Sequence, residues 1–184
     1  VDRIQIAKNE RTLAQMKLTN VKFSCEDVTG LSTCETYDLI TCIDALEHIE
    51  DQNKVLSNFH DALTANGALY LHIPLARPRP VPFSRHLHSM HEWSEHEHIA
   101  PMRTREEMLD MMVKAGFCIE EWRETFAFHA GELACSLFAL FHENTKLNFL
   151  AQGVVSPVTR LLAGLELLSR QQRGFALALL ARKA

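Results

Sequence analysis

Tyr37-Asp38-Leu39-Ile40-Thr41-Cys42-Ile43-Asp44-Ala45-Leu46-Glu47-His48-Ile49 is the stretch on which the fold turns. Its first half is a nearly continuous apolar run, Tyr37, Leu39, Ile40, Cys42 and Ile43, the pattern of a parallel strand covered on both faces. A central strand is therefore expected over Thr36 to Asp44. Directly after it come an Asp, a Glu and a His, three side chains that bind or move protons.

Downstream, Val55, Leu56, Phe59, Ala62 and Leu63 recur at helical spacing, with Asp51 or Asn53 as cap and Asn66-Gly67 as a left-handed stop. Ala68 to Ile73 reads as a second strand, ended by Pro74. Strand, helix and strand in succession make a βαβ unit with a right-handed crossover. Residues 75–103 shift to Pro, Arg, His and Ser and are expected to form a lid loop. Thr104 and Glu107 then form a capping box before a stripe of Met108, Met111, Met112 and Ala115, and Gly116 stops that helix.

Phe117 to Thr125 is the next expected strand. Helical stretches over Gly131 to His142 and Ser156 to Gln172 follow, read as a helical insertion spanning 130–172 before a last strand, Phe175 to Ala181. Upstream, residues 4 to 17 suit a helix, and Val21, Phe23 and Cys25 alternate as a short strand ending at Glu26-Asp27. This alternation predicts an open α/β sheet with helices on both faces, in a single domain over 1–184. Ligands of such sheets sit beyond the carboxyl ends of the strands, so Asp27, Asp44 to Glu50 and the loop after Pro74 should share one crevice.

Composition narrows the function. The chain has 184 residues, 47% hydrophobic and 23% charged, the balance of a folded globular protein. With 19 Lys and Arg against 23 Asp and Glu, net charge -4, no nucleic-acid partner is expected. The odd set Cys25, Cys34, Cys42, Cys118 and Cys135 contains no C-x-x-C pair, which suits a reducing, cytoplasmic location. The apolar run Leu133 to Phe141 is nine residues, short of the roughly 20 of a membrane span.

Arg3-Ile4-Gln5-Ile6-Ala7-Lys8, Asn20 to Asp27, Tyr37 to Ile49, Leu71-His72-Ile73-Pro74 and Ala115-Gly116-Phe117, in that order, resemble the class I S-adenosylmethionine-dependent methyltransferases over nearly the whole length. The resemblance implies a Rossmann-like, doubly wound, mostly parallel sheet with an antiparallel last strand. It also implies S-adenosylmethionine as cofactor, S-adenosylhomocysteine as its product, and a transferase of the EC 2.1.1 class acting on an O, N or C atom of a small-molecule substrate. By the same resemblance Asp27, Val28, Cys42, Ile43 and Asp44 are cofactor-binding. Glu47 and His48 then face the substrate, and where the acceptor is protonated, as a hydroxyl is, the catalytic base is expected to be His48 or His98.

One part of the family pattern is missing. The glycines Gly30, Gly67, Gly116, Gly131, Gly153, Gly164 and Gly174 are too far apart for the family's Gly-rich turn, and Asp2 reads as a helix start rather than the ribose-binding acid. The natural protein is therefore expected to be longer at its N-terminus. Without the family's first strand, which lies beside the fourth, Thr36 to Asp44 would leave one edge unpaired and its apolar faces half covered.

Each motif also has a plainer reading. Asp27 could cap a turn rather than meet an adenine. Asp44-x-x-Glu47-His48 resembles the cation-binding motif of ubiquinone-pathway O-methyltransferases and small-RNA 2′-O-methyltransferases, but with Asp where they carry Glu, so no metal is expected. His86, His88, His91, His96 and His98 crowd one loop with Glu92, Glu95 and Glu97, and suit a polar lid better than a zinc site. Leu161, Leu162, Leu165 and Leu168 form a stripe for core or for a homodimer face. The rival functions are a non-catalytic methyltransferase-like module and a metal-binding protein using the His-rich loop.

Overall fold

Strands β1 (Tyr37–Ile43), β2 (Leu63–Pro74), β3 (Phe117–Thr125) and β4 (Ala176–Lys183) form one sheet in the order β1-β2-β4-β3. The structure, a computed structural model, describes residues 3–76, 99–125, 145–168, 174 and 176–184. β1 and β2 run parallel, and β4 lies antiparallel between β2 and β3, so three strands point one way and the last opposes them. That is the mostly parallel sheet with an antiparallel closing strand that the sequence predicts.

The helices are α1 (Arg3–Met16), α2 (Gln52–Ala62), α3 (Arg105–Lys114) and α4 (Thr145–Leu168). α2 starts where Asp51 accepts the Lys54 amide at 2.9 Å. α3 starts at the complete Thr104/Glu107 capping box and ends at Gly116, whose φ of 92° only glycine adopts without strain. Register sets Cys42, Leu69, Leu71, Ile73, Leu177, Leu179 and Ala181 on one face of the sheet. They join Val55, Leu56 and Phe59 of α2 and Met108, Met111 and Met112 of α3 in one core. Each such side chain contributes about 1.5–3 kcal/mol when fully buried.

Several expectations are corrected. Among the described residues β1 is an edge strand rather than a central one, and on its outer face Leu39 and Ile43 are each 57% exposed. Its apolar run lacks a second neighbour among the described residues, which is the unpaired edge foreseen from the sequence. Val21 to Cys25 alternate as a strand should, yet they carry no regular secondary structure and pair with no strand among the described residues. α2 ends at Ala62 rather than at Asn66-Gly67, and Gly67 is not left-handed. Instead the chain bulges between the pairs Tyr37↔Leu63 and Leu39↔Ala68, where a Cβ on Gly67 would stand 2.9 Å from Leu63.

α4 begins at Thr145, well before Ser156, and runs through Pro157. Pro157 removes one backbone donor without ending the helix. Leu161, Leu165 and Leu168 are exposed, so those leucines are not core. The other expected helix, Gly131 to His142, and most of the lid lie outside the described residues, apart from its flanks at 75–76 and 99–103.

Candidate functional site

The chain changes direction sharply where β1 ends. Asp44 has φ 46°, a left-handed conformation uncommon for a residue with a Cβ and concentrated at functional sites. Two bonds to β2 hold it there. The Asp44 amide donates to the His72 carbonyl at 3.0 Å, and His72 Nδ1 donates to Asp44 Oδ1 at 2.7 Å. The other ring nitrogen, Nε2, lies 3.0 Å from Thr125 Oγ1 at the end of β3.

A 3-10 turn, Leu46–His48, follows. Leu46 is fully buried and anchors it, Gln52 Nε2 donates to the Leu46 carbonyl at 3.1 Å, and Arg103 Nε donates to Gln52 Oε1 at 2.8 Å. The Ala100 amide donates to the Glu47 carbonyl at 3.2 Å. These bonds fix the turn against α2 and against the chain leading into α3.

Glu47 is buried, and its Oε2 has no hydrogen-bond partner among the described residues. Burial pushes its carboxyl pKa up, with the nearby Asp44 charge adding to the effect. The Cys42 thiol, inside the core one strand-turn back, is pushed up to about 11 by burial and then by Glu47. His48 is largely accessible, with Nε2 4.0 Å from Glu47 Oε1.

Asp27 stands elsewhere on the same support. Its Oδ1 accepts from the Thr29 amide at 2.9 Å and the Thr29 hydroxyl at 2.8 Å, capping the 3-10 turn Val28–Gly30 and holding its carboxyl below the usual range. Asn58 of α2 binds that turn through the Val28 and Thr29 carbonyls at 2.9 and 3.0 Å. Gln52 and Asn58, six residues apart on one helix, thus hold the two turns at points separated by about 9 Å along the axis.

Asp44, Glu47 and His48 are brought together at one strand end, and Asp27 and Val28 share a separate turn on α2. Ile43 is exposed at the strand end, while Cys42 turns its thiol into the core. His98 lies outside the described residues. Among the described residues no three His, Cys, Asp or Glu side chains converge as a metal site, and no helix is long and apolar enough to cross a membrane.

Sequence reasoning missed His72 and Thr125. The available signal was the composition of β2, where His72 is the one basic side chain in the otherwise largely apolar run Ala68 to Ile73. Such a group is buried only when its hydrogen bonds are met.

Residues 1–121 match the model of a family described as a methyltransferase domain. A ubiquinone biosynthesis O-methyltransferase of Coxiella burnetii is 29% identical over 68 residues, 36% of this chain and 28% of that protein. The match thus spans little more than a quarter of that relative's length. The [4+2]-cyclase SpnF superposes with a TM-score of 0.66 at 16% identity, covering 100% of this chain and 63% of the cyclase. Phosphoethanolamine N-methyltransferase 2 of Haemonchus contortus, in complex with S-adenosyl-L-methionine, gives 0.62 at 16% identity over 94% and 39% of the two chains. A cyclase and a methyltransferase on one scaffold mean that these likenesses concern the fold, not the chemistry.

Proposed function

We propose, from the premise that this chain belongs to the methyltransferase-domain family, that it transfers a methyl group from S-adenosylmethionine to an O, N or C atom of a small-molecule acceptor. The observation that carries this reading is the family match across residues 1–121, which includes the whole Asp44 to His48 turn. The cofactor would supply an already activated methyl group, so the protein's tasks are alignment and exclusion of water.

The side chains near the strand ends fit the adenosine half of that cofactor. Asp27, kept ionised by Thr29, offers a carboxylate to amine or hydroxyl donors. Val28 and Ile43 offer apolar surface to a purine, with the Cys42 backbone behind and Asp44 as a second carboxylate. On the acceptor side, Glu47, buried in the turn, would border the substrate. His48, accessible and next to it, would position the acceptor or take its proton, and His98 is the second imidazole of this reading.

A single domain over 1–184 with a lid at 75–103 accords with the bonds at the lid's flanks. The Ala76 amide meets the Arg103 carbonyl at 2.7 Å, and the Ala100 amide meets Glu47. The insertion at 130–172 and a homodimer through the exposed Leu161, Leu165 and Leu168 belong to the same proposal, as does a cytoplasmic enzyme of the EC 2.1.1 class. Calorimetry of the full-length protein with S-adenosylhomocysteine tests it. Saturable binding is expected, and its absence would favour the non-catalytic module.

A further inference from the structure

We infer that Asp44, His72 and Thr125 form a proton relay at the carboxyl end of the sheet, in which Thr125 takes the proton of a hydroxyl acceptor and passes its own to His72. The inference rests on the methyl-transfer reading and narrows it to acceptors that carry an O–H.

The geometry is unusual for a purely structural histidine. β4 separates β2 from β3, yet the His72 ring bridges from Asp44 beyond β1 to Thr125 on β3. It can do so because the β4 residues beneath are small. Ala178 pairs with His72, and Ala176 pairs with Thr125, so both lie on the face that carries the ring. A larger side chain at Ala178 would fill the path of the imidazole. Asp44 also holds a left-handed backbone conformation to present its carboxylate, which costs of order 1–3 kcal/mol and persists only when its surroundings enforce it.

The hydrogen bonds can be satisfied in two protonation states. With a neutral ring, Nδ1–H donates to Asp44 and the Thr125 hydroxyl donates to Nε2. With an imidazolium, both ring N–H groups donate, to Asp44 and to Thr125 Oγ1, and the Thr125 hydroxyl turns to the Ala176 carbonyl 3.5 Å away. A buried group equipped for both states can store a proton without leaving a polar atom unpaired. The step is balanced: the acceptor O–H proton moves to Thr125 Oγ1 as the Thr125 proton moves to Nε2. The O–H electron pair stays on the acceptor oxygen as the nucleophile, and Asp44 remains ionised opposite the imidazolium. Thr125 touches the acceptor, whereas His72 and Asp44 act through it.

Three measurements on the full-length protein test the relay: calorimetry with S-adenosylhomocysteine, histidine 15N NMR, and turnover of S-adenosylmethionine with phenol and with the more acidic 4-nitrophenol. In the neutral ring the proton is expected on Nδ1 with Nε2 bare, and Thr125→Val should shift the Nε2 resonance while keeping the Nδ1 proton. Thr125→Val should lower phenol turnover on the order of 10²–10⁴-fold, and 4-nitrophenol turnover by much less, because that acceptor arrives largely ionised. Ala178→Leu should move the same resonance and the same rate ratio without altering a polar group. A proton on Nε2, equal losses on the two phenols, or binding of S-adenosylhomocysteine without methylation of either phenol overturns the relay alone. Failure to bind S-adenosylhomocysteine overturns the methyl-transfer reading beneath it.

Discussion

Arg105, the first residue of α3, places its Nη1 2.9 Å from Oε1 of Glu124 near the end of β3. The guanidinium also stacks 4.8 Å above the Trp122 ring, and the other carboxylate oxygen accepts the Gly174 amide at 2.6 Å. A buried carboxylate is tolerated here because both of its oxygens are satisfied. The pair ties α3, β3 and the chain entering β4 together.

Glu124→Ala should therefore cost about 2 kcal/mol, since it leaves the Gly174 amide without this acceptor and takes the carboxylate from Arg105 Nη1, although Nη2 keeps Glu106. Glu124→Gln should cost less because it keeps an acceptor for Gly174. Urea denaturation reads both. An alanine variant that unfolds at the wild-type midpoint would show that Arg105 and Glu124 do not stabilise this corner.

Cys42 should resist alkylation. With its thiol near 11, only about a thousandth is ionised at about pH 8, and burial blocks the reagent as well. Cys25, Cys34 and Cys118 are exposed. Mass mapping after brief iodoacetamide treatment should find these three labelled and Cys42 bare until urea is added. Labelling of Cys42 at the rate of Cys118 would contradict its place in the core.

Glu47 should make stability fall as pH rises. Burial raises its carboxyl pKa above the ordinary 4.5, so the folded chain holds this proton over a range in which the unfolded chain has lost it. Stability then drops from the ordinary value up through the raised one, and levels above it. Glu47→Gln has no proton to lose, so its Tm advantage over the wild type should grow from about pH 4 upward and then plateau. A difference that stays constant across that range would mean that Glu47 is solvated.

The fold was legible wherever a local signal and the tertiary environment agreed. Thr104, Glu107 and Gly116 mark the ends of α3 because a capping box and a left-handed stop are local chemistry. Leu39 and Ile43 misled because an apolar run reports what a strand is suited to bury, not whether a neighbour is there to cover it. The same holds for Val21 and Phe23, whose alternation finds no ladder. At the site, Asp44, Glu47 and His48 were visible because they lie within one short stretch after β1. His72 and Thr125 were not, because they are 53 residues apart and meet only across β4.

Gly116 is held by His60 as well as by its backbone. An alanine Cβ there would sit 2.9 Å from His60 Nε2, and a left-handed φ of 92° costs an L residue about 1–2 kcal/mol by itself. Gly116→Ala should destabilise by more than that backbone cost. Combining it with His60→Ala should recover only the steric share, read from a double-mutant cycle in urea. Full additivity of the two substitutions would show that the ring moves aside freely.

Asp27 and His48 should separate cofactor binding from turnover. Asp27 both caps the Val28–Gly30 turn and, in the proposed function, meets the cofactor, so alanine would confuse the two roles. Asparagine caps as well as aspartate but carries no charge. Asp27→Asn should therefore weaken S-adenosylhomocysteine binding while leaving the melting temperature near that of the wild type. His48 is accessible, with its Nε2 4.0 Å from Glu47 Oε1. His48→Ala should instead lower kcat with phenol and with 4-nitrophenol alike, as the loss of a side chain that positions the acceptor does, with little change in S-adenosylhomocysteine affinity. If Asp27→Asn binds S-adenosylhomocysteine as the wild type does, the carboxylate is only a turn cap, and the adenosine half of the proposed site has to be sought on other residues.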